Sequence, residues 1–76
     1  MIERIVRIDS IQDADEFNKI CTRFDCDMDL SSGKYYVNAK SIMGIFCLDL
    51  SHSLKLLADT NDADAVDEAF KKFIVE

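Results

Sequence analysis

One serine of this chain, placed just before a dense apolar run, has a hydroxyl that could take part in chemistry. It is Ser41, in the stretch VNAKSIMGIF of residues 37 to 46. A β-rich segment precedes the serine, and one glycine interrupts the apolar residues after it. Serine is a preferred N-cap, because its side-chain oxygen accepts a hydrogen bond from a free N–H of the first helical turn. The local pattern therefore predicts a helix cap at Ser41 and leaves open whether the hydroxyl also receives a phosphate.

The other nucleophilic side chains carry weaker signals. The only histidine, His52, falls in DLSHSL, and we interpret it as a surface loop residue with no arginine nearby in sequence. Cys21, Cys26 and Cys47 are odd in number, and their spacing fits neither a CxxC pair nor a zinc module. We interpret all three cysteines as small buried hydrophobes in a reducing compartment.

The acidic run DCDMD superficially resembles the start of a calcium-binding loop. Such a loop needs glycine at position six and glutamate at position twelve, and the chain places Leu30 and Tyr36 there. Alternation along a strand explains the run better. The sequence therefore predicts no metal site, and no pattern in it calls for a cofactor.

Length and charge limit the class of protein. The 76 residues are enough for one small domain with one core. The net charge of −6 argues against nucleic acid and anionic membranes as partners. No run of about 18 apolar residues could span a bilayer. The N-terminal MIERIVRIDS alternates charged and apolar residues, so we predict no signal peptide and a cytoplasmic protein.

A strand and a helix are the first elements of the fold that the sequence predicts. Residues 2 to 8 mix β-branched and charged residues, which predicts a strand with Val6 and Ile8 inward. Ser10 and Asp13 have the spacing of a capping box that starts a helix. Spacings of three and four place one apolar face of that helix on a sheet, formed by Ala14, Phe17, Ile20, Cys21 and Phe24.

The remaining pattern predicts a hairpin, a helix, a strand and a last helix. Cys26, Met28 and Leu30 alternate with Asp27 and Asp29, which would lie on an open sheet face. SSGK carries the glycine of a turn before the return strand YYVN. A short helix from residue 41 to about 48, a strand over 54 to 58 and a helix from 62 to 75 follow. The inner face predicted for the last helix comprises Ala65, Val66, Ala69, Phe70, Phe73 and Ile74. The order β-α-β-β-α-β-α predicts an α+β fold whose antiparallel sheet has helices on one face.

The segment NAKSIMG resembles the regulatory-serine region of HPr, the small histidine-containing phosphocarrier of the bacterial sugar phosphotransferase system. The GK turn before it, the LDL after it and the acidic start of the last helix are similar too. The resemblance covers most of the chain from about Phe17 onward. It implies an HPr-like open-faced sandwich over residues 1 to 76, with four antiparallel strands and three helices on one side.

The resemblance also implies a site. In that family the serine matching Ser41 is phosphorylated by a dedicated HPr kinase, and the apolar residues around it dock kinases and a transcription regulator. Carried over, Ser41 is the candidate phosphoacceptor, Ile42, Met43 and Phe46 are candidate docking residues, and Lys40 adds a favourable charge. Protein partners, with HPr kinase or a transcription regulator among them, are therefore expected.

The chain departs from the family at the loop that carries phosphate. HPr proteins have GLHARPA before the first helix, and this chain has IDSIQDADEF, with no histidine or arginine. The acidic residues there would repel a phosphoryl group. We therefore predict no enzyme activity and a non-catalytic regulatory or protein-binding domain. Two alternatives remain open: a phosphocarrier that uses an unrecognised acceptor such as His52, and a domain that retains the motif for packing alone.

Overall fold

Four strands and three helices form a two-layer α+β structure in the computed structural model, which describes residues 1 to 75. In chain order the elements are β1 (Ile2–Val6), α1 (Ile11–Thr22), β2 (Met28–Ser32), β3 (Tyr35–Asn38), α2 (Ile42–Phe46), β4 (Leu54–Ala58) and α3 (Ala63–Phe70). The sheet order is β1-β4-β2-β3, and every neighbouring pair is antiparallel. The predicted fold class and element order are confirmed.

The hairpin between β2 and β3 has a two-residue loop. Ser32 pairs with Tyr35, so Gly33 and Lys34 form the connection. Gly33 has a φ of +61°, a left-handed value that favours glycine. A glycine with positive φ in the first loop position is typical of the type II′ turn, whose twist matches that of paired strands.

The last helix is shorter than the sequence predicts. We expected it to continue to residue 75, but α3 ends at Phe70. The chain then runs beside β1: Arg7 N–H donates to the Phe73 carbonyl at 2.9 Å, and Val75 N–H donates to the Ile5 carbonyl at 2.8 Å. These bonds satisfy polar groups on the outer edge of β1 that a longer helix would leave unpaired. A pairing between segments almost 70 residues apart therefore overrides the local helical pattern.

Most of the predicted inward residues form the core, whereas Ile20, Phe24, Ala65, Ala69 and Ile74 are only partly buried. Those with at most 2% of their surface exposed include Val6, Ile8, Ala14, Phe17, Cys21, Met28, Leu30, Leu54, Leu56, Val66, Phe70 and Phe73. Cys26 is half-buried, and Cys47 is exposed. The prediction of a buried Cys47 is wrong, because this residue caps the end of α2 while Ile45 fills the inward position.

Ion pairs tie α3 to its neighbours. Arg4 of β1 donates two hydrogen bonds to Asp67, at 2.6 and 3.2 Å. The hydrogen bond with Arg4 lowers the pKa of Asp67 and raises that of Arg4. Lys72 lies 3.0 Å from Glu16 and 3.6 Å from Asp13, which joins the segment after α3 to α1. Within residues 1 to 75, no helix combines the length and apolar character that crossing a bilayer requires.

Candidate functional site

Ser41 is an exposed N-cap of α2, as its sequence context predicts. Its Oγ accepts a hydrogen bond from Gly44 N–H at 3.3 Å. Its own N–H donates to the Asn38 carbonyl at 3.0 Å, and its carbonyl accepts from Ile45 N–H at 3.1 Å. The backbone of the serine is thus held on both sides, while the side chain faces solvent. A hydroxyl in this arrangement can be reached by a partner without unfolding the helix.

The junction between β3 and α2 is fixed by contacts with two other elements. Ala39, which is fully buried, donates its N–H to the Met28 carbonyl at 2.9 Å. The side chain of Asn18, on α1, donates to the Ala39 carbonyl at 3.2 Å. Asn38 Oδ1 accepts from Lys40 N–H at 2.9 Å. The position of Ser41 is therefore set by α1 and β2 as well as by its own helix.

The side chain of Lys40 connects the start of α2 to the end of α1 through a hydrogen bond. Its Nζ donates a 2.6 Å hydrogen bond to the Phe24 carbonyl. Phe24 follows α1, where helix carbonyls lack partners within the helix, and a cation is favourable there. The Lys40 ammonium thus holds the start of α2 against the end of α1, in addition to the favourable charge beside Ser41 expected from the sequence.

The apolar residues of α2 divide between the core and the surface. Ile45 is fully buried, and Ile42 is half-buried against the core. Met43 is 71% exposed and Phe46 is 43% exposed. Positions i and i+3 are neighbours on a helix surface, so Met43 and Phe46 form one exposed apolar pair. Of the three candidate docking residues, Met43 and Phe46 are therefore exposed, whereas Ile42 packs partly against the core.

Gly44 lets α2 approach β3 closely. A Cβ atom at this position would lie 3.3 Å from the Val37 Cβ and 3.5 Å from the Asn38 carbonyl oxygen. Ordinary carbon contacts need somewhat more room. The glycine in the middle of the apolar run is therefore explained by packing between α2 and the edge strand.

The start of α1 carries a hydroxyl and carboxylates. Ser10 is the N-cap, and its Oγ accepts from Asp13 N–H at 3.0 Å. The nearby Lys72 is already paired with Glu16 and Asp13, and the hydrogen bond with Glu16 is the main reason why its pKa is raised. Among residues 1 to 75, the start of α1 holds no imidazole, and the nearby guanidinium of Arg7 lies 3.4 Å from Asp9.

His52 lies on the surface after α2, as predicted. Its side chain is 75% exposed, and Nε2 is 3.4 Å from Asp49 Oδ2. Asp49 also accepts hydrogen bonds from the hydroxyl and N–H of Ser51, at 2.6 and 3.0 Å, and these bonds lower the pKa of Asp49. Residues 1 to 75 contain no group of three or more His, Cys, Asp or Glu side chains placed to hold a metal ion.

Comparisons with known proteins identify a family and several solved structures that this chain resembles. The family described as the PTS HPr component phosphorylation site matches residues 11–76. Among solved structures, HPr-C-His from Thermoanaerobacter tengcongensis is 28% identical, with a TM-score of 0.80 over 95% of this chain and 89% of that one. HPr from Bacillus anthracis str. Ames, at 23% identity and a TM-score of 0.72 over 95% of both chains, supports the fold alone.

A further similar structure is Crh, the catabolite repression containing protein of Bacillus subtilis, whose crystal structure shows a domain-swapped, intertwined dimer. It is 30% identical, with a TM-score of 0.62, over 88% of this chain and 76% of that chain. No curated protein sequence matches the chain.

Proposed function

The chain belongs to the HPr family of the phosphotransferase system, and we propose that it is a regulatory or protein-binding member that does not carry phosphate on histidine. Proteins of this family are phosphocarriers rather than catalytic enzymes, and they interact with other proteins of the system. The observation that carries the proposal is the contrast between two caps. Ser10 caps α1 among carboxylates, and Ser41 caps α2 beside exposed apolar side chains.

A histidine phosphocarrier needs a neutral imidazole nitrogen as nucleophile. The start of α1 offers the hydroxyl of Ser10 and nearby carboxylates, and no imidazole among residues 1 to 75 lies beside them. Asp9 and Asp13 would raise the energy of a phosphoryl group placed there. The name of Crh associates that similar protein with catabolite repression, which supports a regulatory role for this chain.

Ser41 is the proposed phosphoacceptor. An HPr kinase would transfer the γ-phosphoryl group of ATP to Ser41 Oγ, so that a new O–P bond forms, the bond to the β-phosphate breaks, and the hydroxyl proton and ADP leave. Gly44 N–H, which already donates to this oxygen, is placed to donate to a phosphate oxygen. The added charge of about −1.5 to −2 would then change the surface that a partner reads.

Met43 and Phe46 are the proposed docking residues, together with the exposed part of Ile42. Apolar side chains that stay exposed on a small domain commonly mark an interaction surface. Lys40 borders the same surface, although its ammonium is bound to Phe24. The kinase and a transcription regulator are the partners that we propose for this surface.

The proposal is tested by intact-mass analysis after incubation with HPr kinase and ATP. We expect the wild-type chain to gain one phosphate and Ser41→Ala to gain none. Ser10→Ala is the matched control, because it removes a serine N-cap of the same geometry and keeps Ser41. Each cap substitution should cost about 1 kcal/mol of stability, so loss of phosphorylation in Ser41→Ala alone would not reflect a general loss of folding.

The alternatives have different signatures. Phosphorylation by phosphoenolpyruvate and the first enzyme of the system, at an acid-labile site that His52→Ala removes, would contradict the proposal and favour a phosphocarrier that uses His52. Absence of phosphate under both conditions, with Ser41→Ala altering stability but no interaction, would favour a motif retained for packing.

The docking surface makes a separate prediction. The double substitution Met43→Ala and Phe46→Ala should lower kcat/KM for phosphorylation of Ser41 by about ten- to a hundredfold, because it removes exposed apolar contacts without touching the acceptor. Val75→Ala is the control, since Val75 is 52% exposed but lies beside β1, at the opposite sheet edge from β3. Equal rates for the double variant and the wild type would exclude these residues from the docking surface.

A further inference from the structure

A cleft of about 620 Å³ lies between the tip of the β2–β3 hairpin and the segment that follows α2. This volume falls within the range of roughly 300–1,000 Å³ that is typical of small-molecule sites. The lining includes Ser32, Lys34, Tyr35, Leu48, His52 and Ser53. Cys47, the C-cap of α2, also lines it, so the cleft adjoins the end of that helix opposite Ser41. We propose that this cleft binds a small organic anion with a flat apolar body.

The cleft lining includes three side chains whose hydrogen-bond donors have no partner among residues 1 to 75, those of Lys34, Ser32 and Ser53. Across residues 1 to 75, the Lys34 ammonium forms no ion pair, whereas Lys19, Lys71 and Lys72 each pair with a carboxylate. Ser32 and Ser53 also line the cleft, and neither hydroxyl donates to a protein group in this part of the chain. One cation and two hydroxyls suit a phosphate, sulfonate or carboxylate group, and bonds to a charged group are the stronger kind.

The charge pattern of the chain favours an anion at this place. From Leu30 to Leu48 the sequence contains Lys34 and Lys40 and no acidic residue, in a chain with fifteen acidic residues. Asp49 is the acidic residue in the lining, and its Oδ2 lies 3.4 Å from His52 Nε2. An anion therefore meets less repulsion here than over most of this acidic surface.

Tyr35 and Leu48 are the residues that would contact the apolar part of the ligand. Tyr35 is 73% exposed, so most of its ring is open to a planar group, and Leu48 is nearly buried and supplies an apolar wall. Aromatic rings pair with one another in offset-stacked or edge-to-face arrangements, so the Tyr35 ring can pack against a ring of the ligand. The cleft thus matches a molecule that has both a charged oxygen group and a ring.

The test is a titration of the uniformly ¹⁵N-labelled, unphosphorylated chain with phenyl phosphate, followed by amide chemical shifts. We expect saturable shifts confined to residues 32 to 35 and 47 to 53. Inorganic phosphate and phenol, each supplying half of the ligand, should bind at least about tenfold more weakly. Lys34→Gln and Tyr35→Ala should each weaken phenyl phosphate binding by about tenfold.

Two matched variants make the result decisive. Tyr36→Ala removes a ring that is 65% exposed but points to the other face of β3 and does not line the cleft. Lys55→Gln removes an exposed lysine from β4. Both should bind phenyl phosphate like the wild type. Equal weakening in the controls, shifts that never saturate, or inorganic phosphate that binds as tightly as phenyl phosphate would overturn the inference. The titration does not involve Ser41, so its outcome is independent of the function proposed above.

Discussion

Replacing Phe17 by alanine is expected to lower the free energy of unfolding by about 3–5 kcal/mol. Phe17 is fully buried, and its ring centroid lies 4.8 Å from that of Phe70 and 5.2 Å from that of Phe73. The substitution removes the ring that links α1 to α3 and to the chain beside β1. Domains are stable by roughly 5–15 kcal/mol, so one such cavity would cost a large share of the total.

The measurement is urea unfolding followed by far-ultraviolet circular dichroism, because the chain has no tryptophan. Phe46→Ala is the matched control: it makes the same chemical change at a side chain that is 43% exposed, and we expect a loss of less than about 1 kcal/mol. A similar midpoint for both variants would contradict the assignment of Phe17 to the centre of the core.

The Cys21 thiol of the folded chain is expected to react with a disulfide reagent about a thousandfold more slowly than the same thiol in urea. Burial raises the pKa of Cys21 to about 12, although the nearby Lys40 opposes the shift. Only the thiolate attacks a disulfide, and an unfolded cysteine titrates near pH 8.5. The native fold therefore suppresses the reactive form and also shields the sulfur from the reagent.

This prediction is measured with Ellman's reagent at pH 8 on the double variant Cys26→Ser and Cys47→Ser, in which Cys21 is the remaining thiol. The exposed Cys47 should account for the fast phase of the wild-type chain, and Cys47→Ser should remove that phase. A fast native reaction of the double variant would show that Cys21 is not sealed in the core.

Much of the candidate site follows from local sequence. The cap at Ser41 needs only a serine before a helical run, because the groups that it satisfies lie within the next turn. The hairpin at Gly33 is equally local, since a two-residue loop demands a special φ. The absence of a histidine from the start of α1 is visible by inspection. These features are properties of a few neighbouring residues.

The exposure of each apolar residue of α2 was not determined locally. Ile42, Met43, Ile45 and Phe46 are all apolar, and a five-residue helix shows no clear periodicity. The way in which α2 lies against β3, with Gly44 near Val37, decides that Ile45 is buried and that Phe46 faces outward. The same placement leaves Cys47 exposed. The docking surface proposed here is therefore a result of tertiary packing.

The sequence by itself determined the elements, their order and the inward faces of β1, β2 and α1, because the periods of strands and helices are set by backbone geometry. The tertiary structure alone decided the end of α3, the contact of Lys40 with Phe24, and the cleft between the hairpin and the loop after α2. Each of these depends on groups far apart in the chain that meet only after folding. Local periodicity carries no information about which hydrogen-bonding groups elsewhere in the chain still need a partner. The free backbone groups on the outer edge of β1 are such groups, and pairing with them ends α3 at Phe70.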